Sequence, residues 1–122
     1  MRISVVVPVF NGSRYLASFF TSLADAAPDG AEIILIDDAS SEPVFDFVPS
    51  CQVYDNAIRI RNDVNRGYSG AVNNGFKIAS GDIIIQLNTD LILHSDCISE
   101  MIRAIYKTEN VGIVGSQLIF PT

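Results

Sequence analysis

The sequence predicts an α/β fold with a mostly parallel sheet flanked by helices. Three observations predict it. Short β-branched runs alternate with segments of helical spacing along the chain. The runs are apolar with little polar alternation, as strands covered on both faces are. Three of them end abruptly in polar clusters: Phe10-Asn11-Gly12, Asp37-Asp38-Ala39-Ser40 and Asn88-Thr89-Asp90.

Each element follows from local composition. Ile3–Val9 is β-branched and reads as the first strand. Asn11-Gly12-Ser13 then signals a loop and a helix entry. Tyr15, Leu16, Phe19, Phe20 and Leu23 recur at helical spacing, so Arg14 to about Ala26 is an amphipathic helix, ended by Pro28-Asp29-Gly30. Glu32–Ile36 is a second buried strand. Pro43 and Pro49 bracket Val44–Val48, which suits a short helix. Ala57–Arg61 alternates Ile58 and Ile60 with Arg59 and Arg61, the pattern of a strand nearer the sheet edge. Asn62–Gly67 is a polar loop. Tyr68–Ala79 is a helix with Val72, Phe76 and Ala79 on one face.

Gly81–Leu87 is the most apolar of the later runs and is expected at the centre of the sheet, covered on both faces. Beyond the link Leu91–His94, Ser95 or Asp96 can cap a helix whose Ile98, Met101, Ile102 and Ile105 share a face. Asn110 ends it. Val111–Val114 and Gln117–Phe120 read as strands broken by Gly115-Ser116. No closing helix follows, so the chain reads as one domain, 1–122, truncated from a longer protein.

Composition narrows the function. Apolar residues make up 48% and charged residues 18%, which argues for a packed domain and against disorder. A net charge of −6 speaks against a nucleic-acid partner, which needs a basic field. No apolar run approaches the roughly 20 residues of a membrane span, and nothing resembles a signal peptide. Cys51 and Cys97 lack CxxC spacing and His neighbours; they read as buried, reduced thiols of a cytoplasmic protein.

In a parallel sheet all strand ends of one kind lie on one edge, where ligands bind. The three polar clusters, and a fourth from Asn62 to Asn74 between the third strand and the next helix, therefore converge. Asp90 offers a hard anionic oxygen and Asn88 an amide oxygen, a donor set suited to Mg²⁺ or Mn²⁺ holding a diphosphate. Such a cation also resolves the difficulty of binding phosphate with an acidic chain. Asp38 can accept from a base N–H or a ribose hydroxyl. Arg66 and the backbone N–H groups near Gly67 and Gly70 can meet a phosphate or sugar.

The segments Val5-Val6-Val7-Pro8-Val9-Phe10-Asn11-Gly12, Asp37-Asp38-Ala39-Ser40, Asn65–Gly75, Ala79-Ser80-Gly81-Asp82 and Leu87-Asn88-Thr89-Asp90 together resemble the family-2 glycosyltransferases. The resemblance covers nearly the whole chain. It implies the GT-A fold, a Rossmann-like sheet that binds nucleoside-diphosphate sugars, here without the acceptor half. The Asn-x-Gly-x-x-Gly and Leu-Asn-x-Asp variants look most like rhamnosyltransferase-type members that build surface polysaccharide.

By the same resemblance, Pro8, Val9, Phe10 and Asn11 belong to the nucleotide site. Asp38 contacts the base, Arg66 and Gly67 border nucleotide or sugar, and Asn88 and Asp90 stand at the metal motif. Asn88 replaces the first Asp of that motif, removing one charge. The implied reaction is inverting transfer to a hydroxyl of a glycan or lipid-linked acceptor, at the cytoplasmic face of the membrane if the full-length protein is anchored there. No residue matches the family's catalytic base.

Two other readings compete. A nicotinamide-dependent domain would need Gly-x-Gly-x-x-Gly where Pro8–Gly12 stands. A non-catalytic binding or regulatory module would keep the fold and lose the chemistry.

Overall fold

The structure is a computed structural model that describes residues 1–117. The elements run β1 (Ile3–Val9), α1 (Ser13–Ala26), β2 (Glu32–Asp37), two 3-10 turns (Val44–Phe47 and Gln52–Tyr54), β3 (Ile58–Arg61), α2 (Gly67–Ile78), β4 (Ile83–Gln86) and α3 (Cys97–Lys107). All strand pairings are parallel, in the order β3-β2-β1-β4.

The helices take opposite faces. Alternate residues of β1 point to opposite sides of the sheet. Val5, Val7 and Val9 join Leu16, Phe19, Phe20 and Leu23 of α1 in the larger core, together with Ile33 and Leu35 of β2 and Ile98 of α3. Val6 points the other way, with Ile34, Ile36 and Ala71 of α2. Helix α2 approaches the sheet closely because Gly75 has no side chain. A Cβ there would collide with Val6 Cγ1 and lie 2.9 Å from Ile36 Cδ1.

Two expectations are corrected. The Gly81–Leu87 run does not form the central strand; β1 occupies that place. Among the described residues β4 pairs with β1 alone. Ile84 is 43% exposed, and Ile83–Gln86 line an open cleft of about 340 Å³ with Phe76, Met101, Ile102, Ile105 and the segment 112–114. An apolar run reports an apolar neighbourhood, and a helix can supply that as well as a second strand. The second correction concerns Val111–Val114, which forms no strand; Ile113 is almost fully exposed. The expected strand at Gln117–Phe120 lies outside the described residues beyond Gln117.

Smaller differences have local causes. Val44–Phe47 is a 3-10 turn because Pro43 and Pro49 leave no room for a longer helix. Asp96 stands at the N-cap of α3 without a side-chain cap bond; its N–H donates to His94 Nδ1 at 3.2 Å. Cys51 and Cys97 are free but only half-buried.

The sheet edge away from the strand C-termini is tied by one carboxylate. Glu32 accepts from Ser80 N at 2.9 Å, Ser4 Oγ at 2.8 Å, Arg2 Nη2 at 3.0 Å and Ser80 Oγ at 3.0 Å. The Ser80 backbone N–H, then these side-chain donors, outweigh partial desolvation and lower its pKa to about 2. A lowered folded-state pKa adds stability above the unfolded value, and that stability fades as pH falls from about 4.5 toward 2. Glu32→Gln is therefore expected to lower the urea midpoint at neutral pH and to flatten its decline across that acid window. Midpoints of the two proteins falling in parallel below pH 4.5 would contradict the assignment.

Candidate functional site

The connectivity makes a crevice at the carboxyl ends of the strands. From β1 the chain crosses through α1 on one face to β2, and then reaches β3. It returns through α2 on the other face to β4, on the far side of β1. The ends of β1 and β4 thus flank the point where the winding reverses, the usual ligand position in such sheets.

Pro8 fits this break. Val9 O accepts from Asp38 N at 2.9 Å and Val6 O accepts from Leu87 N at 3.1 Å, so alternate residues of β1 bond toward β2 and toward β4. Pro8 falls among those facing β4, but the β1–β4 register ends at Val6 with Gln86. Its missing N–H forfeits no ladder bond.

A pocket of about 310 Å³ opens at the end of β1 on its β2 side, lined by Pro8, Val9, Phe10, Asp38, Asn65, Gly67, Tyr68 and Ala71. Three elements meet in it: the end of β1, the loop after β2 and the start of α2. Phe10 is 55% exposed beside it, unusual for a large aromatic ring.

The two adjacent carboxylates divide their roles. Asp37 is structural: Oδ1 accepts from Ser40 N at 2.9 Å, and Oδ2 pairs with Arg61 Nη1. Asp38 is only 3% exposed and belongs to the pocket. Its Oδ1 accepts from Asn62 Nδ2 at 2.8 Å and from Arg66 N at 2.9 Å. Its Oδ2 has no hydrogen-bond partner among the described residues, yet is not sealed from solvent. Asp38, a lining residue of the pocket, thus keeps one unused acceptor.

The loop that carries Asp38 is held in a demanding shape. Ala39 adopts φ 62°, a left-handed conformation that costs a residue with a Cβ about 1 kcal/mol or more. Asn11 clamps the turn. Its N–H donates to Ser40 Oγ at 2.8 Å, and its Oδ1 accepts from Ser41 N at 2.9 Å and Glu42 N at 3.2 Å. Asn11 therefore spends its carbonyl oxygen on the loop and is not among the pocket-lining residues. Asn also tolerates the left-handed φ of 49° it takes here.

Tyr68 connects the pocket to the end of β4. It lines the pocket, its hydroxyl donates to Asn88 Oδ1 at 2.6 Å, and Gln86 Nε2 bonds the same hydroxyl. Asn88 is therefore tied to the pocket wall through Tyr68, and Asp90 follows it by two residues. Asp90 is exposed. Arg66 contributes its N–H to Asp38, while its exposed side chain has no ion-pair partner among the described residues. Gly67 opens α2 at φ 77°, a backbone that favours glycine.

The donor chemistry at the rim suits a hard cation in part. Asn88 Oδ1 accepts one hydrogen bond and keeps a second lone pair, and Asp90 adds a carboxylate. Among the described residues no three His, Cys, Asp or Glu side chains gather to hold an ion alone. Asn88 and Asp90 could share an Mg²⁺ or Mn²⁺ with phosphate oxygens and water, the usual arrangement for such ions.

The reading of the sequence placed the stretch Asn62–Asn74 at this edge but gave Tyr68, Asn62, Asn65 and Asn74 no individual role. The available signal was the density of Asn in the stretch Asn62–Asn74, unusual for a loop running into a helix.

Comparison with known proteins bears on this arrangement. The chain matches the family described as Glycosyl transferase family 2 over residues 4–121. It is 27% identical over 115 residues to glycosyltransferase GlyG of Streptococcus pneumoniae, covering 93% of this chain and 38% of the relative. It thus spans little more than a third of that relative's length. Among solved structures, S. aureus TarS 1–349 in complex with UDP superposes with a TM-score of 0.74 at 20% identity, covering 95% of this chain and 39% of that one. The mannosyltransferase PcManGT from Pyrobaculum calidifontis, in complex with GDP-Man and Mn²⁺, gives 0.72 at 21% identity, covering 84% and 31%. These likenesses establish the GT-A fold, and the family match carries the assignment: the chain belongs to glycosyl transferase family 2.

Proposed function

We propose that this chain is the donor-binding part of a glycosyltransferase that takes a nucleoside-diphosphate sugar and transfers the sugar, with inversion, to a hydroxyl of a glycan or lipid-linked acceptor. The observation that carries this reading is the buried Asp38 carboxylate, one oxygen without a partner among the described residues, in the lining of a pocket at the carboxyl ends of β1 and β2. Pro8, Val9 and Phe10 form the wall against the base and ribose, and Asp38 accepts from the base. Arg66 and the N-terminus of α2 at Gly67 lie where a diphosphate gains from positive charge. Asn11 serves the same site by holding the Asp38 loop.

Asn88 and Asp90 would hold a divalent cation, Mg²⁺ or Mn²⁺, at the diphosphate. That cation would offset the negative charge that builds on the departing nucleoside diphosphate. As the acceptor oxygen bonds to the anomeric carbon, the bond to the diphosphate breaks and its electron pair leaves with the nucleotide. The hydroxyl proton goes to a base that no described residue supplies. Two solved neighbours, one named with UDP and one with GDP-Man and Mn²⁺, support the ligand class. Among the described residues no helix is long and apolar enough to cross a membrane. The two free thiols, Cys51 and Cys97, fit action on the cytoplasmic side.

Calorimetry of UDP and GDP with and without Mn²⁺ tests the reading. Binding is expected to strengthen with Mn²⁺. Asp90→Ala is expected to weaken the Mn²⁺-dependent part by at least the roughly tenfold that losing even an outer partner of a metal costs. Identical Mn²⁺ dependence in the variant would remove Asp90 from the metal site. No nucleotide binding at all would favour a non-catalytic module.

A further inference from the structure

We propose that Asn62 and Asn74 form a positioning relay that sets the base selectivity of the pocket, directing it to the imide bases, uracil and thymine, over guanine. The proposal rests on the reading of Asp38 as the base acceptor.

The relay joins three elements. Asn62 follows β3, Asn74 lies on α2 and Asp38 follows β2. Asn62 is 6% exposed, and its backbone N–H donates to Asp37 O at 2.8 Å. An ionised carboxylate only accepts, so Asn62 must turn its NH₂ toward Asp38 and its carbonyl oxygen away. That oxygen accepts from Asn74 Nδ2 at 2.9 Å. The amide is thus oriented from both ends.

The consequence falls on Asp38. Both acceptor directions of Oδ1 are filled, by Asn62 Nδ2 and Arg66 N, which leaves Oδ2 for the ligand. Uracil and thymine present a single N3–H between two carbonyl groups, matching one acceptor. Guanine presents N1–H and N2–H side by side, a pair that suits two carboxylate oxygens. With Oδ1 occupied, one guanine donor is left unpaired in the pocket, which costs affinity. Adenine and cytosine place an acceptor nitrogen at that edge, opposed to the carboxylate. Neither Asn touches the base; both act through Asp38.

Titrating UDP, dTDP and GDP into the purified protein and into Asn62→Ala, Asn74→Ala and Asp38→Asn tests this. The unsubstituted protein is expected to bind UDP and dTDP roughly tenfold or more tighter than GDP. Asn62→Ala and Asn74→Ala are each expected to bring that ratio toward one. The ratio is a readout that a merely structural role would not move. Asn74→Ala, at a half-buried site, keeps the test available if the Asn62 variant fails to fold. Equal or tighter GDP binding by the unsubstituted protein overturns the proposal. An unchanged ratio in the folded Asn variants overturns the relay but leaves Asp38 as base acceptor. UDP affinity untouched by Asp38→Asn overturns the base reading and the relay with it.

Discussion

Asp38→Asn is expected to keep the fold and lower UDP affinity by roughly 100-fold or more, because it converts a charged acceptor into a donor at the proposed point of base contact. The amide can keep its oxygen toward Asn62 Nδ2 and Arg66 N, the two donors that Asp38 Oδ1 now satisfies. Its NH₂ then occupies the Oδ2 position and faces the pocket. There it meets the N3–H of uracil, donor against donor. The same change suits cytosine, whose N3 accepts, so CDP should lose little or gain. Calorimetry with UDP and CDP, beside thermal unfolding, checks both halves. Retained UDP affinity in a folded variant would place the base elsewhere.

Phe20→Ala is expected to cost about 3–5 kcal/mol of stability, a large part of the roughly 5–15 kcal/mol that holds a typical domain. Phe20 is fully buried on α1. Its ring packs edge-on against Phe19 at 5.4 Å between centroids and against Tyr54 at 5.7 Å. Tyr54 in turn donates its hydroxyl to Phe20 O, and burial pushes its phenol pKa up, so it stays a neutral donor. Truncation empties the junction of α1 with the Gln52–Tyr54 turn, and little beside it can collapse, since Val5, Val7 and Leu16 are sealed in the same core. Guanidinium denaturation should show a lower midpoint with a similar slope. A loss under about 1 kcal/mol would mean that the core relaxes around the gap.

Much of the fold was legible because strand and helix signals are local. The β-branched runs at Ile3–Val9 and Glu32–Asp37 and the helical spacing of Leu16, Phe19, Phe20 and Leu23 each reflect a short stretch of chain. The alternating Ile58-Arg59-Ile60-Arg61 was legible as an edge strand for the same reason. Val111–Val114 was misread because a run of Val and Ile satisfies a strand pattern even where no partner strand lies beside it.

The candidate site was legible only as a grouping of residues. Polar residues at strand ends marked the rim, and a family resemblance ordered them. Asp38 rather than Asp37 was read as the candidate ligand acceptor, but the physical cause of that division lies outside the dipeptide. Arg61 decides it, 24 residues on, by pairing with Asp37.

Residue order along the chain was enough to determine that strands and helices alternate and that oxygen-bearing side chains collect where the strands stop, because periodicity and capping depend on near neighbours. Tertiary packing alone decided that β1 rather than β4 lies at the centre, that Tyr68 bridges to Asn88, and that Asp38 Oδ1 is filled by Asn62 and Arg66 while Oδ2 has no partner among the described residues. Those outcomes depend on hydrogen bonds and contacts between segments distant in the chain, and no short window of sequence contains both partners.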